Sequence, residues 1–333
     1  MKSSRPLSDP SEKQRDGMLK TLIKFLRLRG SSSIFDRGYT VQFELNGLGR
    51  PKSIPGAGLR IEAEIYYHPQ ANENRSNENK SGQALDIYAP PPGQTDGTIP
   101  VILFLHGGGW RASDKNDPLG VHANVCKALA WRGLVAINVN YRLAPRYKHP
   151  DFAWDVAYAL RWVAGNISNY GGDPERVFLS GHSAGGHLAA LITLDSRYLG
   201  DVGLLPDIVK GVVGICGVYN LQHFAGRNWM AEHLMTRAAF GKNKTHRAEA
   251  SPVSHVRPGA PPFLLLNAEE DERLEEEAEE LAGLLRARGS AAETAILPGT
   301  NHFTILSLIG NGDDRLIDRI VNFVHERDLR SQI

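Results

Sequence analysis

From residue 100 onward the chain alternates short, continuously apolar runs with stretches of helical periodicity. The apolar runs are PVILFLH (100–106), LVAINVNY (134–141), RVFLSGH (176–182), VKGVVGIC (209–216), PPFLLLN (261–267) and TAILP (294–298). Between them lie helical patterns at VCKALAWRG (125–133), DFAWDVAYALRWV (151–163), Arg273 to Arg286 and Asp314 to Glu326. Strands that are apolar along their whole length, rather than at every second residue, are covered on both faces, and regular alternation with helices makes them parallel. The pattern therefore predicts an α/β fold around one mostly parallel sheet, with helices on both faces. Between Gly217 and Pro258 the alternation breaks into stretches rich in Trp, His and Arg, which reads as a cap segment inserted over the carboxyl edge of the sheet.

Upstream, Leu59 to His68 and Leu85 to Tyr88 predict two more strands, separated by the polar loop PQANENRSNENKSG. Met18, Leu19, Leu22, Ile23 and Leu26 recur at helical spacing, with Lys20, Lys24 and Arg27 opposite and Gly30 as a stop. That segment is an amphipathic helix, packed on the body or over the mouth of the site, with attachment to a membrane surface as the alternative. Residues 1–57 are accordingly an N-terminal extension, part of which could belong to the cap, and 58–333 the α/β domain with the insertion at about 217–258.

Composition narrows the partners. A formal net charge of +1 over 333 residues gives no general attraction to nucleic acid or anionic membrane. No run of roughly 18 uncharged apolar residues occurs, and the polar N-terminus has no signal-peptide core, so stable membrane insertion is not expected and a cytoplasmic location is. Cys126 and Cys216 both lie in apolar runs and read as small buried hydrophobes. No metal-ligand spacing, Walker loop or dinucleotide fingerprint is present, so neither a metal nor a cofactor is expected; a homodimer is left open.

The chemistry is concentrated in four places. Gly181-His182-Ser183-Ala184-Gly185 stands between a strand and a helix, the context in which Gly-X-Ser-X-Gly is a nucleophile elbow: a strained turn that holds the Ser183 hydroxyl clear of the sheet. His106-Gly107-Gly108-Gly109-Trp110 leaves another strand and has the form of an oxyanion loop, in which the N–H groups of Gly108 and Gly109 act together with that of Ala184. A general base belongs after the last strand, where His302 follows TAILPGTN, whereas His182, His187 and His255 do not fit the order nucleophile, acid, base. The acid belongs after the preceding strand, where Glu269, Glu270, Asp271 and Glu272 compete. Asp271 is the choice among them, with an acid one residue away as the alternative; Glu275, Glu276 and Glu277 read as exposed. Trp110, Trp229, His223, Phe224, Met230 and Phe240 are candidates for an apolar pocket, Trp110 and Trp229 foremost. Asn138, Asn140, Tyr141, Arg142 and Asp155 suit structural roles.

Taken together, HGGGW, NYRLAP, YGGDPERVFLSGHSAGG, the Asp271 segment and NHF resemble the hormone-sensitive-lipase type of esterase in the α/β-hydrolase superfamily, over roughly residues 83 to 328. The resemblance implies the α/β-hydrolase fold, a Ser183–His302–Asp271 triad, the same oxyanion residues, and a small-molecule ester or amide as substrate. His182 stands where many such enzymes have Asp, and no glycine precedes the acid. GHSAGGHL, GVYNL and NHFTIL are also similar to kynurenine formamidases, and HGGGW with YGGDPERVFLSGHSAG to prenylcysteine methylesterases. A ligand receptor on a hydrolase fold, like the gibberellin receptor, is the reading from another class, and a His at 302 is the feature that speaks against it.

Overall fold

The computed structural model describes residues 52–69, 81–93, 98–227, 229, 231–271 and 273–330. The predicted helix at 18–29 lies outside them, as do residues 70–80 of the polar loop, Met230 and Glu272.

The strands are β1 (Arg60–Tyr66), β2 (Ala84–Ala89), β3 (Ile99–Leu105), β4 (Val135–Val139), β5 (Gly172–His182), β6 (Val209–Ile215), β7 (Phe263–Glu270) and β8 (Ala292–Asn301). They form one sheet in the order β1-β2-β4-β3-β5-β6-β7-β8. β1 and β2 pair antiparallel, β2 joins β4 antiparallel, and every pairing from β4 to β8 is parallel. The burial explains the apolar runs: every residue of β2, β3 and β4 is buried, whereas β8, at the sheet edge, is mostly half-exposed and carries Ile296 in the open. Among the described residues, α1 (Val121–Trp131), α2 (Asp151–Asn166), α3 (Ala184–Leu194) and α4 (Ser196–Asp201) follow β3, β4 and β5. The β6–β7 connection holds α5 (Leu221–Arg227), a π-helical turn (Ala231–Thr236), α6 (Arg237–Phe240) and α7 (Lys244–Glu249), all short, at the place where the periodicity broke. α8 (Leu274–Ala287) separates β7 from β8, and α9 (Thr304–Ser307) and α10 (Arg315–Arg330) close the chain. This is the α/β-hydrolase arrangement that the motifs imply.

Residues 52–57, assigned from sequence to the extension, already pack on this body. The Ile54 N–H donates to Asn124 Oδ1 at 3.0 Å, and the Trp131 indole N–H donates to the Pro55 carbonyl at 3.0 Å.

Because β3 to β8 run parallel, their carboxyl ends share one edge of the sheet. The loops that leave β3, β5, β7 and β8 there are the ones that carry the glycine run, Ser183, Asp271 and His302, so topology alone brings four distant segments together.

Candidate active site

At the end of β5 the chain reverses into α3 through Ser183, whose φ of 54° and ψ of −116° lie where a side chain is rarely tolerated. The flanking glycines make that turn sterically feasible. A Cβ on Gly181 would lie 2.4 Å from the Gly185 backbone, and one on Gly185 would lie 2.0 Å from the Leu105 carbonyl oxygen. Strand, elbow and helix are thus in backbone contact, and Ser183, itself only partly buried, is held at the sheet edge. The Ser183 N–H donates to the Ile215 carbonyl at 2.8 Å, which fixes the elbow to the end of β6.

The glycine run after β3 is oriented by its carbonyl groups. The His106 Nδ1–H donates to the Gly107 carbonyl at 2.8 Å, and the Gly108 carbonyl accepts from the N–H groups of Arg111 and Ala112, each at 3.1 Å. In a trans peptide the N–H points opposite to the C=O, so the N–H groups of Gly108 and Gly109 are turned away from the loop interior. The Ser183 carbonyl accepts from His187 N–H at 3.1 Å inside α3, and the same rule turns the Ala184 N–H out of the helix start. Gly108, at φ 104°, has no alternative residue: a Cβ there would lie 2.1 Å from the Ala112 carbonyl oxygen.

Asp271 follows β7 and His302 follows β8, and they meet: His302 Nδ1 donates to Asp271 Oδ1 at 2.6 Å. Asp271 is 2% exposed, and its Oδ2 accepts from Asn267 Nδ2 at 3.3 Å. Two of the competing acids are elsewhere. Glu270 is exposed, and Glu269, also exposed, spends Oε2 on the Gly299 N–H at 2.8 Å. Cys216 lies fully buried behind the pair, where burial first and the neighbouring Asp271 carboxylate second push its thiol well above the ordinary range. The donor-type atoms of His182, Cys216 and His302 lie within 4.8 Å of one another. One nitrogen of each imidazole is committed, His302 Nδ1 to Asp271 and His182 Nε2 to the His302 carbonyl at 2.8 Å.

Two sequence expectations are corrected here. Trp110 is 0% exposed; its indole N–H donates to His187 Nδ1 at 3.2 Å, and its ring packs edge-on against Phe240 at 4.9 Å. It leaves no face to a ligand and is a framework residue under the glycine run rather than a pocket wall. Glu277, read as exposed, is 1% exposed: its carboxylate accepts the N–H groups of Tyr219 at 2.8 Å and Asn220 at 3.0 Å and pairs with Arg227 at 3.0 Å. Burial raises its pKa, and these donors offset that only in part. The amides that follow β6 need an acceptor, and the inner face of α8 supplies it.

The cap segment reaches the glycine run. Arg111 Nη1 donates to the Leu234 carbonyl, and a Cβ on Gly109 would lie 3.1 Å from Met235 Cγ, so the Met235 side chain lies alongside Gly109. Met235 carries no sequence signal: it lies in the π-helical turn Ala231–Thr236, where the Thr236 hydroxyl donates to the Ala231 carbonyl at 2.8 Å, and such turns recur at functional sites. Trp229 is 63% exposed and stacks on His233 at 5.1 Å, and Phe303, 50% exposed, stands edge-on to His302 at 5.3 Å.

A family model described as BD-FAE matches residues 85–283. The chain is similar to the esterase LipQ of Mycobacterium tuberculosis, with 31% identity over 77% of this chain and 61% of LipQ. It is also similar to the isoprenylcysteine alpha-carbonyl methylesterase ICME of Arabidopsis thaliana, with 27% identity over 83% of this chain and 66% of that protein. The chain thus spans less than two thirds of the length of either relative. Among solved structures, an esterase of Pyrobaculum calidifontis superposes with a TM-score of 0.63 at 26% identity, covering 82% of this chain and 86% of the esterase.

Proposed function

The chain belongs to the BD-FAE family, and on that premise we propose that it is a carboxylesterase-type serine hydrolase. The observation that carries the reading is the 2.6 Å bond from buried Asp271 to His302, formed at the sheet edge where a strained Ser183 also stands. In this mechanism Asp271 fixes the His302 tautomer with the proton on Nδ1, so that Nε2 is free to take the Ser183 proton. Ser183 Oγ attacks the ester carbonyl, and the oxygen that becomes negative is held by the N–H groups of Gly108, Gly109 and Ala184. His302 then returns the proton to the departing alcohol, and water, activated by the same base, hydrolyses the acyl-enzyme.

The apolar groups by the site suit an uncharged substrate. Met235 beside Gly109 and Phe303 beside His302 would flank a bound substrate, with Trp229 exposed on the cap segment. A second reading, methyl-ester hydrolysis on a prenylated cysteine, is favoured by the likeness to ICME and uses the same residues on a long apolar leaving group.

The test is a side-by-side turnover comparison on p-nitrophenyl acetate through decanoate, a prenylcysteine methyl ester and N-formylkynurenine, with Ser183→Ala as the blank. Fastest turnover of the p-nitrophenyl series supports the general esterase. A preference of orders of magnitude for the prenylcysteine ester or for the formamide moves the assignment to that substrate, and Ser183→Ala activity near wild type refutes the mechanism.

A further inference from the structure

His182 precedes the nucleophile, yet no step of the mechanism uses it. Its ring is nearly buried, at 6% exposure, and lies against both the His302 loop and the glycine run. Nε2 donates to the His302 backbone carbonyl at 2.8 Å; a carbonyl only accepts, so Nε2 carries the proton. The ring lies 4.7 Å from the His302 ring. On its other side, a Cβ on Gly107 would lie 2.8 Å from Nδ1, so the first glycine of the run is a glycine where this imidazole rests on it.

We infer that His182 is a positioning residue: through its bond to the His302 carbonyl it holds the base loop in register with the nucleophile elbow and the glycine run. The inference rests on the hydrolase reading above. The geometry suits the task. Asp271 holds the His302 ring, and the pairing of Asn301 with Glu270 holds the chain to the end of β7 one residue earlier; at His302 itself the backbone carbonyl is tied by His182. The His182 bond fixes that backbone relative to the residue adjacent to Ser183, and burial keeps the imidazole neutral, so Nδ1 presents a lone pair rather than a second proton toward Gly107. A displacement of about 1 Å between base and nucleophile costs on the order of a hundredfold in rate, which sets the upper size of the effect.

The experiment compares the full chain with His182→Leu, His182→Gln and His182→Asn on p-nitrophenyl butyrate, with thermal unfolding as a check on folding. The Gln amide nitrogen reaches the place of Nε2; that of Asn falls a methylene short, and Leu has no donor. We expect kcat to fall roughly 10- to 100-fold in Leu and Asn, with KM within about twofold of wild type, and to return to within a few-fold in Gln. A residue that merely filled space would show no such split between Gln and Asn. Equal activity of Gln and Asn, or wild-type kcat in Leu, overturns the inference while leaving the hydrolase reading intact. If Leu does not fold, the Gln and Asn pair decides. Absence of Ser183-dependent turnover in the wild-type chain instead overturns the hydrolase reading itself.

Discussion

Asp271→Asn changes one atom and tests the choice among four carboxylates. Asp271 Oδ1 accepts from His302 Nδ1 at 2.6 Å and Oδ2 accepts from Asn267 Nδ2 at 3.3 Å, so both oxygens face donors. An amide at this position must turn its NH2 toward one of them. Facing Asn267, the NH2 meets another donor in a buried site; facing His302, it forces Nδ1 to become the acceptor and moves the imidazole proton to Nε2, where the lone pair for Ser183 is needed. The donor clash at Asn267 disfavours the first orientation and the second removes the base; the corresponding change in a serine-protease triad lowers kcat about ten-thousandfold, equivalent to about 5 kcal/mol of barrier. The assay is steady-state hydrolysis of p-nitrophenyl butyrate after confirming an unchanged far-ultraviolet spectrum, with Glu270→Gln and Glu269→Gln beside it. Both glutamates are exposed, and their variants are expected within about threefold of wild type. A drop of orders of magnitude in Glu270→Gln together with a mild Asp271→Asn would refute the assignment and the reasoning from burial behind it.

Other outcomes follow from the same geometry. Met235→Ala opens the space beside Gly109, and we expect kcat/KM for the octanoate ester to rise roughly tenfold relative to butyrate, since one methylene in an apolar pocket is worth about 1–3 kcal/mol; an unchanged chain-length profile would remove Met235 from the pocket. Gly185→Ala places a Cβ 2.0 Å from the Leu105 carbonyl oxygen, with backbone on both sides, and should cost at least about 3 kcal/mol in urea unfolding or abolish soluble protein; near-wild-type stability would contradict the packing of elbow on strand. His187 is fully buried, accepts from Trp110 at Nδ1 and donates to the Ala250 carbonyl from Nε2, and burial lowers its pKa from 6.5 to about 4. The unfolded chain therefore binds a proton that the folded one refuses between these values: stability is full above about pH 6.5, falls as pH drops toward 4 and is flat for this group below. At ~1.4 kcal/mol per pH unit the total is about 3 kcal/mol. Urea midpoints at pH 7.5 and 4.5 should differ less in His187→Gln than in wild type, and an equal difference would contradict the assignment.

The sheet was legible because the signal for it is local. Each buried strand announces itself as a continuous apolar run, and β3, β4, β6 and β7 fall where those runs do. β8 is longer than TAILP because it ends on the polar residues Gly299, Thr300 and Asn301, which belong to the edge of the sheet and carry no apolar signature. The cap was legible only as a loss of pattern; its short helices have no sustained periodicity to read. Ser183, the glycine run and His302 were legible for a different reason. Their chemistry demands particular backbone conformations at fixed distances from a strand end, and glycine is the residue that satisfies them.

What sequence could not decide was which side chain among similar ones ends up inside. Asp271 and Glu270 are adjacent carboxylates, and the first is buried against His302 while the second is exposed, because only the position after the strand end meets the loop that follows β8. Glu277 looks like its exposed neighbours until the amides after β6 claim it. Trp110 looks like a ligand-binding aromatic until His187 and Phe240, from two other segments, enclose it. Met235 and His182 acquire their places from contacts across dozens of residues, with the glycine run and the His302 loop respectively. The sequence by itself determined the elements, the order of the candidate-site loops and the turns that only glycine permits, since these are set by backbone sterics over a few residues. The tertiary structure decided burial, tautomer and partner, since those depend on which distant segments the parallel strands deliver to one edge of the sheet.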